Sequence, residues 1–112
     1  MNHRERLAVL LVLALASCSG GAELPGSLPP GTVVIQDFRF SPDRLVVPAG
    51  TSVTWTNQES GVAHTTTADD RTWDSGLLQP GEFFTHRFER PGAFPYFCSI
   101  HPEMEAAVMV EG

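Results

Sequence analysis

The sequence predicts an all-β protein that folds as a single β-sandwich domain. Short runs of β-branched and aromatic residues recur from Thr32 onward, turn residues separate them, and no segment after the leader has a long helical period. The chain has 112 residues, and removal of an N-terminal leader would leave too few for two independent cores. We therefore expect one domain over residues 32–112, preceded by a leader over 1–17 and a Gly-, Ser- and Pro-rich flexible tether over 18–31.

The predicted strands show the alternation typical of half-buried β-strands. Val53 and Trp55 share one face of their segment, as do Phe84 and Phe88 of theirs. Turns are predicted between the segments, for example at 80–81 and 91–92, where proline precedes glycine. The predicted strands are residues 32–36, 45–47, 52–57, 63–67, 83–88, 93–98 and 107–110.

The first 17 residues have the layout of a secretory signal. Arg4 and Arg6 precede the apolar run Leu7–Ala16, which is too short to cross a bilayer as a helix. The stretch Leu15-Ala16-Ser17-Cys18 resembles a bacterial lipobox, which implies cleavage before Cys18, acylation of that residue and a membrane anchor on the exported side, at the periplasm or cell surface. The alternative is an ordinary signal with an incidental cysteine and a soluble exported protein.

Charge limits the partners of the mature chain. All seven basic residues are arginines, and two of them leave with the leader together with one acid, so residues 18–112 keep 12 acids and 5 bases, a net charge of −7. Nucleic acid and anionic lipid surfaces are unfavourable partners for such a chain.

The cysteine count indicates a role for Cys98. An exported protein with two cysteines would ordinarily form a disulfide, but Cys18 is either lipidated or removed, which leaves Cys98 as a lone thiol. A lone thiol in an oxidising compartment is a liability unless it is buried or bonded, and a metal ion is the obvious partner.

A set of potential metal ligands surrounds this thiol. Cys98, His101 and Met104 recur at every third residue, in what is predicted to be a loop between two strands, and Pro102 would stiffen that loop. His64, far away in the sequence, would complete the set. Two imidazoles, one thiolate and a weak axial thioether form the ligand set of a blue-copper site. Zinc is the alternative metal, although structural zinc sites usually use more cysteines and do not need a methionine.

Each of these residues also has an ordinary structural interpretation. Cys98 alone could be a small core residue, His64 a turn histidine, His101 a surface histidine and Met104 a filler of the core. Their joint spacing, together with the cysteine argument, favours the metal site. His86 alternates with aromatic residues and is interpreted as a structural or surface histidine.

Several motifs resemble those of the cupredoxin family, most closely its plastocyanin-like and amicyanin-like members. They are Val53-Thr54-Trp55-Thr56-Asn57 before His64, Asp74-Ser75-Gly76-Leu77-Leu78-Gln79-Pro80-Gly81, Pro91-Gly92, and a Cys-x-x-His-x-x-Met loop of the amicyanin-like length. The resemblance implies a Greek-key β-sandwich and one copper ion that cycles between Cu(I) and Cu(II). It also implies that His64, Cys98 and His101 are equatorial ligands, that Met104 is axial, and that the ring edge of His101 is the electron port.

The function that the resemblance implies is one-electron transfer between redox partner proteins by a monomeric, non-enzymatic carrier. A module for copper delivery or storage is the alternative. Two departures from the family concern tuning: Thr65 stands where the family often has asparagine, and the acids Glu103 and Glu105 stand where glycines are common. We expect these acids to favour a partner with a basic docking patch.

Overall fold

The computed structural model describes residues 30–112, which form two β-sheets. The predicted signal segment, Cys18 and the tether up to residue 29 lie outside the described residues. Within 30–112, no helix is long and apolar enough to cross a membrane. The strands are β1 (Thr32–Gln36), β2 (Arg39–Ser41), β3 (Arg44–Pro48), β4 (Thr51–Asn57), β5 (Thr67–Ala68), β6 (Phe83–Phe88), β7 (Gly92–Cys98) and β8 (His101–Glu111).

The two sheets form the predicted sandwich. One has the strand order β2-β1-β4-β6 and the other the order β3-β8-β7-β5. Most neighbouring strands are antiparallel, but β1 pairs with β4 and β3 pairs with β8 in parallel. Because β1 and β4 are parallel, they finish at the same end of the sandwich, and the site described below lies at that end.

Aromatic residues fill the space between the sheets. Trp55 in β4 is fully buried and meets Tyr96 in β7 edge-on, with ring centroids 5.4 Å apart. The ring centroid of Trp73 lies 5.7 Å from that of Trp55, and the His86 ring stacks on Trp73 with centroids 5.1 Å apart. Burial lowers the pKa of His86, as expected for a structural histidine. The core is completed by apolar residues of both sheets, which include Val33, Ile35, Phe40, Val47, Val53, Phe88, Val108 and Val110.

The strand prediction for residues 63–67 is mostly wrong. Only Thr67 joins a strand, in β5, while His64 forms an isolated bridge with Leu78. Other backbone groups of this segment also pair with the loop that follows, since the Ser75 amide donates to the Thr66 carbonyl oxygen at 3.0 Å. Alternating side chains reveal that a segment is extended, but they do not reveal whether its partner is a strand or a loop.

The predicted loop that carries the ligands is also shorter than expected. Residue His101 already begins β8, so His101 and Met104 lie on a strand, and only Ser99 and Ile100 connect β7 to β8. The register shifts between Phe97 and Cys98, after which Cys98 pairs with His101. Such bulges re-aim side chains next to functional sites.

One strand, β2, was not predicted. It follows a two-residue turn at Asp37 and Phe38, whose φ angles are 58° and 55°. Two-residue hairpin turns with both residues in this left-handed region usually contain Asn-Gly or Asp-Gly. Since Phe38 stands in place of the glycine, the sequence carries no hairpin signature here.

Candidate metal centre

Three side chains that could bind a metal ion meet where β7 finishes and β8 begins. The Nδ1 atoms of His64 and His101 each lie 3.7 Å from Cys98 Sγ. All three donor atoms lie within 4.8 Å of one another. His64 and Cys98 have no exposed surface, whereas His101 is partly exposed. The structure therefore brings together three of the four residues that the sequence indicates.

The orientation of His64 leaves one ring nitrogen free for a metal. Its Nε2 lies 3.0 Å from Glu59 Oε1 and donates its hydrogen to that carboxylate. In this tautomer Nδ1 keeps its lone pair and faces Cys98. The backbone of His64 is fixed as well, because its amide and carbonyl both bond to Leu78, at 3.1 and 2.7 Å. A carboxylate behind a metal-binding histidine fixes the ring orientation and raises the basicity of the ligand nitrogen.

Glu59 accepts two further hydrogen bonds from the turn between β1 and β2. The amide of Phe38 donates to Oε1 at 2.8 Å, and the amide of Asp37 donates to Oε2 at 3.0 Å. The Phe38 amide is the main cause that lowers the pKa of Glu59, with His64 and the Asp37 amide acting in the same direction against burial. Sequence reasoning missed Glu59, because an acid five residues before a histidine follows no recognisable pattern.

Thr65 ties the His64 segment to the Cys98 segment. Its amide donates to Cys98 Sγ at 3.4 Å, and its hydroxyl accepts a hydrogen bond from the Ser99 amide at 2.8 Å. The same hydroxyl lies 2.9 Å from that of Thr67, which donates to Asp74 at 3.2 Å. Threonine therefore links the two ligand segments at the position where the family often has asparagine.

Met104, the fourth predicted ligand, is a buried residue of the core. Met104 lies in β8, three residues after His101, and is 4 % exposed. It belongs to the same buried cluster as Cys98 and Val108. Its assignment as the axial ligand stays a prediction.

The spacing and chemistry of the three donors fit a copper ion. Bond lengths of about 2.0 Å to nitrogen and about 2.3 Å to sulfur, as found for zinc, would separate N and S by about 3.7 Å at trigonal angles. This is the distance found here, so the donors are spaced for a metal ion of that size. Thiolate sulfur suits Cu(I), and imidazole nitrogen suits Cu(II). Both kinds of donor are present, so the residues are able to hold copper in either oxidation state.

The surface around His101 combines apolar and acidic side chains. Ile100, its neighbour in the chain, is 46 % exposed, and Phe38, whose ring lies 5.0 Å from that of His101, is 44 % exposed. Glu103 and Glu105 are both exposed on β8. The partly exposed histidine therefore adjoins apolar side chains, with two carboxylates following on the same strand.

Comparisons with known proteins agree with the fold. Amicyanin-alpha from Methylorubrum extorquens is 28 % identical over 103 residues, which cover 86 % of each chain. Among solved structures, a purple cupredoxin from Nitrosopumilus maritimus has a TM-score of 0.69 and 33 % identity, covering 72 % of this chain and 99 % of that one. A Cu-containing nitrite reductase from Thermus scotoductus has a TM-score of 0.70 and 29 % identity, but the match covers only 24 % of the reductase.

The family model described as the cupredoxin-like domain matches residues 7–110, which is nearly the whole chain. Two sheets without a helix in the described residues, and a His-Cys-His cluster at one end of the sandwich, are consistent with that match. The chain therefore belongs to the cupredoxin-like domain family.

Proposed function

We propose that this protein is a type 1 copper protein that carries single electrons between redox partner proteins. The observation that carries the proposal is the convergence of one cysteine sulfur and two imidazole nitrogens, of which only His101 is partly exposed. His64, Cys98 and His101 are the proposed equatorial ligands, and Met104 is the proposed axial ligand. Copper, when bound, would supply the one-electron couple between Cu(I) and Cu(II).

The residues around the donors suit rapid electron transfer because they resist rearrangement. Glu59 and Leu78 hold His64, and the Thr65 hydroxyl holds the Ser99 amide next to Cys98. A site whose donors are fixed in advance changes little when the oxidation state changes, so little reorganisation energy opposes the transfer. The partly exposed ring of His101 offers the shortest path from the donors to a docked partner.

Copper delivery or storage is the second candidate function. Such a role favours exposed ligands that exchange readily, whereas two of the three donors here are fully buried. An enzymatic role has less support, because the likeness to the nitrite reductase covers about a quarter of that enzyme. In addition, Phe97 and Ser99 flank Cys98, and neither is a histidine that could bind a second metal ion and receive electrons through Cys98.

The visible spectrum and the self-exchange rate of the copper-loaded protein test this proposal. We expect an intense blue colour from a copper–thiolate bond, together with electron self-exchange that is fast compared with transfer of copper to a chelator. A colourless Cu(II) complex would contradict the ligand set. Copper that passes to a chelator faster than electrons exchange would favour delivery.

We also propose that the partner presents a basic patch and docks near His101. Glu103 and Glu105 are exposed on β8 close to that residue in the chain, and exposed charges act mainly on the rate of encounter. The rate constant with a basic partner should fall as salt rises, since charges are screened beyond about 8 Å at physiological ionic strength. Replacing both residues with glutamine should flatten this dependence and leave the copper spectrum unchanged. A salt dependence that persists unaltered would mean that both acids serve solubility only.

Export and anchoring through Cys18 complete the proposal, and they rest on the sequence alone. After cleavage of the predicted leader over 1–17, the acylated Cys18 and the tether over 18–31 would hold the copper domain on the exported side of a membrane, at the periplasm or cell surface. Cys18→Ala should move the processed protein from the membrane fraction to the soluble fraction. Retention of a processed Cys18→Ala protein in the membrane would place the anchor elsewhere.

A further inference from the structure

We propose that Phe38 is an aromatic cover over the two metal-binding histidines, and that Glu59 is the positioning residue that holds it closed. The cover would keep small ligands, such as azide or imidazole, from reaching the metal. This inference rests on the proposed function, because it assigns an access-controlling residue to the same copper centre.

The Phe38 ring contacts both histidines at once. Its centroid lies 5.3 Å from that of His64 and 5.0 Å from that of His101, and both contacts are edge-on, at 86° and 80°. The two histidine rings are themselves 5.0 Å apart. Phe38 is 44 % exposed, so it lies between solvent and the two histidine rings that it contacts. A side chain in this position obstructs the approach of a small molecule.

The backbone of Phe38 would not adopt its conformation unaided. Its φ of 55° follows a φ of 58° at Asp37, and neither residue is glycine. A non-glycine residue in the left-handed region is strained and persists only where its surroundings hold it there. A bulky aromatic residue is especially unusual in this region. Something outside the turn must therefore fix it.

Glu59 is the group that holds this turn. Its two carboxylate oxygens accept the amides of Asp37 and Phe38 at 3.0 and 2.8 Å, and Oε1 also accepts Nε2 of His64 at 3.0 Å. One carboxylate thus links the turn that carries the cover to the buried histidine beneath it. The side chain of Glu59 is 13 % exposed, so most of it is packed against the protein.

The first experiment measures access to the metal. Phe38→Gly removes the ring and also relieves the left-handed strain, so we expect unchanged or higher thermal stability. In the Cu(II)-loaded protein, azide should bind at least about tenfold more tightly than in the wild type, as followed by visible and EPR spectra. Phe83→Ala is the matched control, since Phe83 is an exposed phenylalanine with no ring contact to either histidine, and it should leave azide affinity unchanged.

The results separate a cover from a packing role. A purely structural Phe38 would lower stability on substitution and leave azide affinity as it was. A blue Phe38→Gly protein with wild-type azide affinity would overturn the proposed cover. If the wild-type protein gives no coloured Cu(II) complex, the proposed function fails, and the second experiment still tests the link between Glu59 and the turn.

The second experiment needs no metal. Glutamine at position 59 offers one acceptor oxygen to three donors, so Glu59→Gln should increase amide hydrogen exchange at residues 37 and 38 by about tenfold in the apoprotein. Glu82→Gln is the matched control, because Glu82 accepts a backbone amide from Gln79 at 2.8 Å but is not bonded to a histidine. Unchanged exchange at 37 and 38 in Glu59→Gln would overturn the role given to Glu59.

Discussion

The Cys98→Ala protein should keep the sandwich and lose the blue copper complex entirely. Cys98 is fully buried at the end of β7, and its sulfur lies 3.7 Å from a ring nitrogen of both His64 and His101. Removing one sulfur atom from the core should cost on the order of 1 kcal/mol of stability, while the strands keep their other contacts. Circular dichroism should therefore be unchanged, while copper titration gives no intense visible absorption. A blue Cys98→Ala protein would refute the ligand assignment.

Met104→Leu should change the copper site less than Cys98→Ala does. Leucine conserves the volume of a buried methionine, so the protein should fold with a stability change below about 1.5 kcal/mol. It should bind copper and remain coloured, because the proposed thiolate and imidazole ligands are intact. Its reduction potential should rise, since loss of a weak axial donor disfavours Cu(II). An unchanged potential would assign Met104 to the core alone.

Asn57→Ala should be the most destabilising of the substitutions considered. Asn57 is fully buried at the end of β4, and its side-chain amide donates to the carbonyl oxygens of Val62 and Leu78 at 2.9 and 2.8 Å. Its Oδ1 accepts the amide of Glu59 at 2.9 Å. Alanine would leave the Val62 carbonyl and the Glu59 amide without this partner and would remove one of the two hydrogen bonds that the Leu78 carbonyl accepts, at a cost of about 3 kcal/mol in the free energy of unfolding.

A change of that size should lower Tm by about 15 °C for a domain of this length. Since Asn57 fixes the segment that carries Glu59 and His64, we also expect weaker copper binding. Ser52→Ala is the control, because Ser52 is exposed on the same strand. Thermal unfolding of the apoprotein and of the copper-loaded protein measures both effects. A Tm within a few degrees of the wild-type value would contradict the structural role assigned to Asn57.

The predicted strand bounds agree best with the structure where an alternating pattern of side chains is flanked by turn residues. The segments predicted at 32–36 and 83–88 are β1 and β6 with the same bounds. The strand predicted at 63–67 is mostly wrong, because the backbone groups of His64 and Thr66 bond to the loop residues Leu78 and Ser75 and only Thr67 joins a strand. The alternation of side chains along a strand depends on neighbouring residues in the sequence, whereas the hydrogen-bond partner of the strand depends on the topology of the whole domain.

The sequence by itself was sufficient to indicate an all-β copper protein and to name its candidate ligands. The features that did so were the strand periodicity, the lone thiol and the spacing of Cys98, His101 and Met104. Only the tertiary structure decided what holds and covers them. Glu59 bonds to the turn at residues 37 and 38, more than twenty residues away, and Thr65 bonds to Ser99 across 34 residues. Local patterns reflect the geometry of one strand, whereas these contacts exist only because two sheets bring distant segments to the same end of the sandwich.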